Sequence, residues 1–353
     1  MRRESAASRG WLTAAAFLIG ACSPADENGS PRPPVASETA VPSPDPSRLP
    51  TASPLAPTLA PDASPLAGDA WELLAEAPIA LTEVAAAAHR GRLWVAGGFV
   101  ADGSASSSVF VMDTVDDRWS QSAALPEAIH HAALVSDGER LYLIGGFVGA
   151  GFERPTDAVW AMDEAEVWDP APPLPEPRGA GAATSDGERI VFAGGVGPDG
   201  VAADVYALAD GEWEPIGALA EPRQHLAAAS DGAGRTWFLG GRHSSLATNV
   251  GTVELVANSD VLVAPPGLTP RSGVGAFWMA GFGACLVGGE TPDGTSSLVE
   301  CVDEVGQVEE LPRLTVARHG LGVAVLADGV YAVLGGEEPG LFVSVVVEWL
   351  PVE

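Results

Sequence analysis

Apolar runs of four residues recur along the chain, and each ends in a pair of glycines. The runs are Leu93–Ala96, Leu141–Ile144, Ile190–Ala193, Thr236–Leu239, Ala284–Val287 and Tyr331–Leu334. The first glycines of the doublets, Gly97, Gly145, Gly194, Gly240, Gly288 and Gly335, stand 48, 49, 46, 48 and 47 residues apart. A period of that length marks an array of like supersecondary units. Continuous apolar runs of this size, bounded by turn residues, predict strands.

Each unit predicts four strands. A strand of small residues comes first, such as Gly179–Ser185 or Gly320–Leu326. An Asp-Gly pair follows at Asp137-Gly138, Asp186-Gly187, Asp231-Gly232 and Asp328-Gly329, which predicts a tight type I′ hairpin. The apolar run is the second strand. Third strands are predicted at Val109–Met112, Ala158–Met162, Asp204–Leu208, Thr252–Val256, Leu298–Val302 and Phe342–Val347. A fourth begins at Trp119, Trp168 or Trp213, with Leu262 and Val308 or Glu309 in the corresponding places of units four and five.

Four strands per unit, a Gly doublet and a later tryptophan together resemble the kelch repeat over residues 71–353. Six units imply an all-β, six-bladed β-propeller. Trp71 lies 26 residues before Gly97, as Trp119 and Trp168 lie 26 residues before their next doublets. It therefore reads as a fourth strand with no first three before it. The chain's C-terminal end supplies three strands with no fourth. The expectation is a last blade closed by the N-terminal strand, a device that removes an exposed sheet edge. The domain reading is 1–21 signal peptide, 22–66 tether and 67–353 propeller.

The leader reading rests on Arg2, Arg3 and Arg9 followed by the apolar run 11–21. That is a secretory pattern, too short to span a bilayer as a helix. The ending Ile19-Gly20-Ala21-Cys22 resembles a bacterial lipobox, which makes Cys22 the lipidation site; a plain cut after Ala21 is the other reading. Residues 23–66 hold twelve prolines among Ser, Thr and Ala, too little apolar surface to offset ordering entropy. The protein is thus expected to be exported, either lipid-anchored on the outer face of a membrane or secreted.

Charge narrows the function classes. The chain carries 47 acidic residues against 18 basic ones, a formal net charge of −29, and all the basic residues are arginine. Nucleic-acid binding through a basic face is excluded, because phosphate contacts need clustered cations. Gly and Pro punctuate too densely for a helical bundle.

Candidate chemistry gathers where first strands begin and second strands end, on one face. Arg178, Arg223, Arg271 and Arg318 each precede their doublet by 16 or 17 residues. His225 and His319 lie beside two of them, with His130 and His131 at the matching place in unit two. After the doublets come Phe99, Phe147, Arg242, His243, Glu290, Glu337 and Glu338, and the loop after Gly146 adds Phe152, Glu153 and Arg154. Guanidinium groups at a channel mouth can hold a carboxylate in bidentate fashion. The same arginines can instead bond loop carbonyls. The candidate ligand-binding set is Arg178, Arg223, Arg271, Arg318, His225, His319, Arg242 and Glu290, with no catalytic residue assigned. Cys285 and Cys301 fall on neighbouring strands, where an exported protein can form a disulfide.

The reading that follows is a monomeric binding or scaffold module recognising a protein or glycan at the channel-mouth face, without metal or cofactor. The alternative is a sugar-processing enzyme resembling the sialic-acid mutarotases, acting at an arginine-rich mouth. Copper radical chemistry resembling galactose oxidase is set aside, because Tyr142, Tyr206 and Tyr331 all fall at packing positions of the repeat.

Overall fold

The computed structural model describes residues 66–257, 260–263 and 267–352. The leader, Cys22 and the proline-rich segment up to residue 65 lie outside them. The described chain forms a six-bladed β-propeller, each blade a four-stranded antiparallel sheet. Blade 1 runs Ala85–His89, Arg92–Ala96, Val109–Asp113 and Arg118–Gln121 from axis to rim. The inner strands of blades 2 to 6 are Ala133–Ser136, Ala182–Ser185, Ala227–Ser230, Gly275–Met279 and Gly322–Leu326. These six inner strands neighbour one another in a closed ring, blade 6 against blade 1. Alanine predominates on their axial faces, where six strands converge, while Trp278, Val323 and Val325 fill part of the channel. Second strands are buried along almost their whole length, as in Leu93–Ala96 and Ile190–Ala193, since both of their faces meet another blade.

The Gly doublets join the blades. The second glycine donates its N–H to a carbonyl just before the inner strand of the next blade: Gly98 to Ile129, Gly146 to Arg178, Gly195 to Arg223, Gly241 to Arg271 and Gly289 to Arg318, all at 2.8–2.9 Å. The first glycine stands so close that a Cβ on Gly97, Gly194, Gly240 or Gly288 would lie 2.6–2.8 Å from that carbonyl oxygen. Its φ is also positive, at +68 for Gly97 and +69 for Gly194, where a Cβ adds strain.

Blade 6 departs by one residue. Leu334, at φ +58, takes the place of a first glycine, and Gly335 donates to Leu81 O at 3.0 Å. Gly336 has slipped past the join. The third strand shifts too: it is Val347–Pro351, not Phe342–Val347. Residues 337–346 are the intervening loop, turned by Pro339-Gly340, and they expose Phe342. The outer strand of this blade is Glu72–Leu73, paired with Trp349 and Glu348, and Leu66 bridges Val352.

The hairpin turns are looser than the Asp-Gly pairs predict. Asp137 and Asp186 accept two backbone N–H groups each across four-residue loops, with Gly138 and Gly187 at φ +95. In blade 6 the tight turn is Ala327-Asp328, and Gly329 already pairs with Leu326. Trp71, Trp119, Trp168 and Trp213 each donate Nε1–H to a carbonyl of the preceding blade, Pro312, Ala75, Ala123 and Pro172. Blades 4 and 5 form outer strands without tryptophan, leaving Leu262 and Val308 exposed. Cys285 and Cys301 face each other across blade 5 and are joined as a disulfide in its buried core. No helix among the described residues is long and apolar enough to cross a membrane.

If the doublets are the joints between blades, Gly194→Ala should cost roughly 3 kcal/mol or more, because its Cβ meets the Arg223 carbonyl. Gly138→Ala, at φ +95 with open space around it, should cost only about 1 kcal/mol. Denaturant unfolding of both variants checks this, and equal losses would refute it.

Candidate functional site

One residue per blade, just before the inner strand, turns the chain toward the axis. These are Glu83, His131, Ala180, His225, Gly273 and Gly320, all with φ between +53 and +61. Their backbones bond in a ring: His131 N–H to Glu83 O at 3.2 Å, Ala180 to His131 at 2.9 Å, His225 to Ala180 at 2.8 Å, Gly273 to His225 at 2.9 Å and Gly320 to Gly273 at 2.8 Å. Val84 N–H closes it on Gly320 O at 3.3 Å. Three of the six positions have no side chain beyond a methyl. The other three bring a carboxylate and two imidazoles to the axis.

His131 Nε2 lies 3.2 Å from Glu83 Oε2 and 3.1 Å from His225 Nε2. Arg242 donates Nη2–H to His225 Nε2 at 3.0 Å and Nη1–H to Glu290 Oε1 at 2.5 Å and Ser272 Oγ at 3.1 Å. His319 Nε2 is 3.7 Å from the other Glu290 oxygen and 3.0 Å from Gly340 O. His130 Nδ1 meets His131 Nδ1 at 2.6 Å, and its Nε2 lies 3.2 Å from Gly151 O. Phe99 stacks on His130 at 3.9 Å, with Phe147 near parallel to the ring at 5.5 Å and Phe152 edge-on at 5.3 Å.

Burial decides the protonation of this cluster. It pushes His131 down to about 3, helped by the charges of Arg242 and His319. It pushes His130 down to about 3 as well, with His131 adding to the effect. His225 is held well below its ordinary value by burial and then by His131 and Arg242. Burial raises Glu83, and His319 opposes it. His130, His131 and His225 are therefore neutral at pH 7 and carry lone pairs.

Glu83, His131 and His225 form the polar end of a central channel of about 540 Å³ that runs along all six inner strands. Ala86, Ala88, Ala133, Ala183, Ala228 and Ala276 line its wall, and Trp278 and Val325 stand near the hairpin-turn end. The site is a tube with an alanine-rich wall and a polar floor, and Ser136, Ser185, Ser230 and Asp231 add polar groups at its hairpin-turn end.

Of the candidate ligand-binding set, His225, His319, Arg242 and Glu290 meet at this floor, together with His130 and His131. The four repeat arginines do not: their side chains turn into their own blades. Arg223 pairs with Glu254 at 2.9 Å, Arg318 with Glu348 at 3.0 Å, and Arg271 with Glu300. Each of these guanidiniums also donates to carbonyls of its own blade, as Arg318 does to Leu334 and Val346. The glutamates in turn accept N–H groups from the loop before the inner strand, at Ala220, Thr269 and Thr315. Arg178 is held by Glu176 at 2.7 Å and Asp204 at 2.9 Å. An arginine-lined mouth is thus replaced by arginine clasps, because each arginine finds a carboxylate on the third strand or in an adjoining loop. Glu83 carries no flag in the sequence. Counting two residues past the arginine register, at Leu81, Ile129, Arg178, Arg223, Arg271 and Arg318, leads to it and to the whole ring.

Residues 80–126 and 128–175, which contain blades 1 and 2, match the family model of the Kelch motif. The chain carries Kelch motifs. A solved structure described as "Structure of YjhT" superposes on this Kelch propeller with a TM-score of 0.68, at 13% identity, over 79% of this chain and 97% of that one. At that identity the likeness is one of fold. No curated protein matches the sequence.

The buried histidines predict acid lability. Between about pH 3 and their ordinary value of 6.5, the unfolded chain binds protons at His130 and His131 that the folded chain refuses. Their contribution is therefore full above pH 6.5 and lost as pH falls through that window. Glu83 acts in the opposite sense, its contribution falling as pH rises past the ordinary 4.5. Unfolding midpoints should drop between pH 7 and pH 5. The drop should shrink in His131→Asn, a residue that tolerates the left-handed backbone there. An unchanged slope in that variant would contradict the assignment.

Proposed function

We propose that this Kelch propeller is an exported binding module that recognises a protein or glycan partner through the face bearing the Gly doublets. One observation carries the reading: among the described phenylalanines, only Phe152 and Phe342 stand about half exposed, at 51% and 53%, and both lie on loops that follow a doublet. Leu341, 49% exposed, adjoins Phe342 on its loop. Exposed aromatic and aliphatic groups on a rigid scaffold favour partner contact. The sugar-processing alternative depended on guanidiniums at the mouth, and four of its five arginines are bound within blades, leaving Arg242.

Export and attachment through Cys22 belong to the same proposal. The charged start, the apolar run and the Ala21-Cys22 junction support them, and the Cys285–Cys301 bond fits an oxidising compartment. Cys22→Ser should move the protein from the membrane fraction to the soluble one; continued sedimentation with membranes would refute lipid attachment. A photo-crosslinking residue at 152 or 342 in the full chain on intact cells should give the same discrete adduct. The same residue at Val115, 92% exposed on a hairpin of the opposite face, should give none. No adduct, or equal adducts from both faces, would overturn the reading.

A further inference from the structure

We infer that Glu83, His131 and His225 form a binding site for one divalent transition-metal ion at the floor of the central channel. Their nearest ligand atoms all lie within 4.8 Å of one another. Two of the separations, 3.2 and 3.1 Å, match atoms sharing one ion. Ligands held at zinc-like distances in a tetrahedron sit roughly 3.3 Å apart.

Hydrogen-bond donors around the cluster give a second, independent argument. Gly151 O only accepts, so His130 Nε2 carries the proton of that bond. His130 Nδ1 is then bare and accepts from His131 Nδ1–H. His131 Nε2 is bare in consequence. Arg242 only donates, so His225 Nε2 is bare as well. Two imidazole lone pairs and a carboxylate oxygen therefore point at one region, where the Arg242 guanidinium donates to His225 Nε2. Acceptor atoms 3.1 and 3.2 Å apart repel unless a cation or a proton lies between them, and a metal ion would relieve all three at once. His131 also has the outer hydrogen bond that holds a ligating imidazole in its tautomer.

The set of two histidines and one carboxylate suits ions such as Zn²⁺, Co²⁺ or Fe²⁺ rather than Ca²⁺ or Mg²⁺, which prefer oxygen. Entry of the ion exchanges the Arg242–His225 hydrogen bond for a metal bond, and Glu290 keeps the guanidinium neutralised. The channel end leaves space for water as a further ligand, so the site is of the open type.

The backbone explains why this is a built site. All three residues sit at equivalent points of the axial ring, so the repeat itself sets their separation. Their spread over residues 83, 131 and 225 hides them from any search for short ligand motifs.

The test is titration of the purified full chain with Co²⁺, read by visible d–d absorption, and competition by Zn²⁺ read by its loss. One equivalent should bind, with an absorption spectrum of low coordination number. His131→Asn and His225→Asn should abolish that spectrum, and Glu83→Gln should weaken affinity at least tenfold. His243→Asn, outside the cluster, should leave binding intact. Circular dichroism shows whether each variant folds, and Glu83→Gln decides if a histidine variant does not. Failure of the wild type to take up one equivalent, or uptake that survives these substitutions in folded protein, overturns the inference.

Discussion

The bond from a Gly-Gly N–H to the carbonyl that precedes the next inner strand is the constraint on which the rest depends. It is repeated around the ring, ending in Gly335 to Leu81. Each such bond fixes where the next blade begins, and so where its axial residue falls. The close approach leaves no volume for a side chain at the first glycine, which is why the doublet recurs. Blade 6 shows the alternative. Leu334 occupies the tight position with a left-handed backbone, and the glycine pair falls one residue later than in the other blades.

Charge in this molecule is spent largely on holding loops. Arg223, Arg271 and Arg318 lie at 0% exposure, where an unpaired guanidinium would be prohibitive. Burial pulls each below its ordinary value, and the glutamate partner pulls back. Because the same carboxylates also accept N–H groups from the adjoining loop, each pair ties three pieces of chain together. Such a pair adds little net stability over an apolar substitute, yet it admits only one geometry. The arginine repeat is thus a device of blade geometry, and it keeps positive charge away from the axis.

Much of this was legible in the sequence. Six units, the four strands of each and the tryptophan places follow from periodicity, because a repeat must bury the same faces in the same way. The turns and the blade 6 register were less legible: one residue of slip costs nothing in the pattern of apolar positions, and Gly335-Gly336 looks like every other doublet. The arginines were legible as a repeat but not in direction, since the same spacing serves a side chain aimed at the axis or into the blade. Arg242 and Glu290 were found from their place after doublets, and His225 and His319 from their place beside the repeat arginines. Glu83 was not, because nothing local distinguishes it; only the backbone ring relates it to His131 and His225.

The axial ring amounts to six identical sockets in which the fold fixes the backbone and leaves the occupant to the sequence. Three are filled with a carboxylate and two imidazoles, and three hold Ala180, Gly273 and Gly320. They are not equally vacant: a Cβ on Gly320 would strike the Glu83 carboxyl at 2.6 Å, whereas one on Gly273 meets nothing closer than 3.4 Å. A propeller of this kind can therefore change the chemistry at its centre one position at a time, with no change in the scaffold, and the asymmetry of its floor is a property of sequence alone.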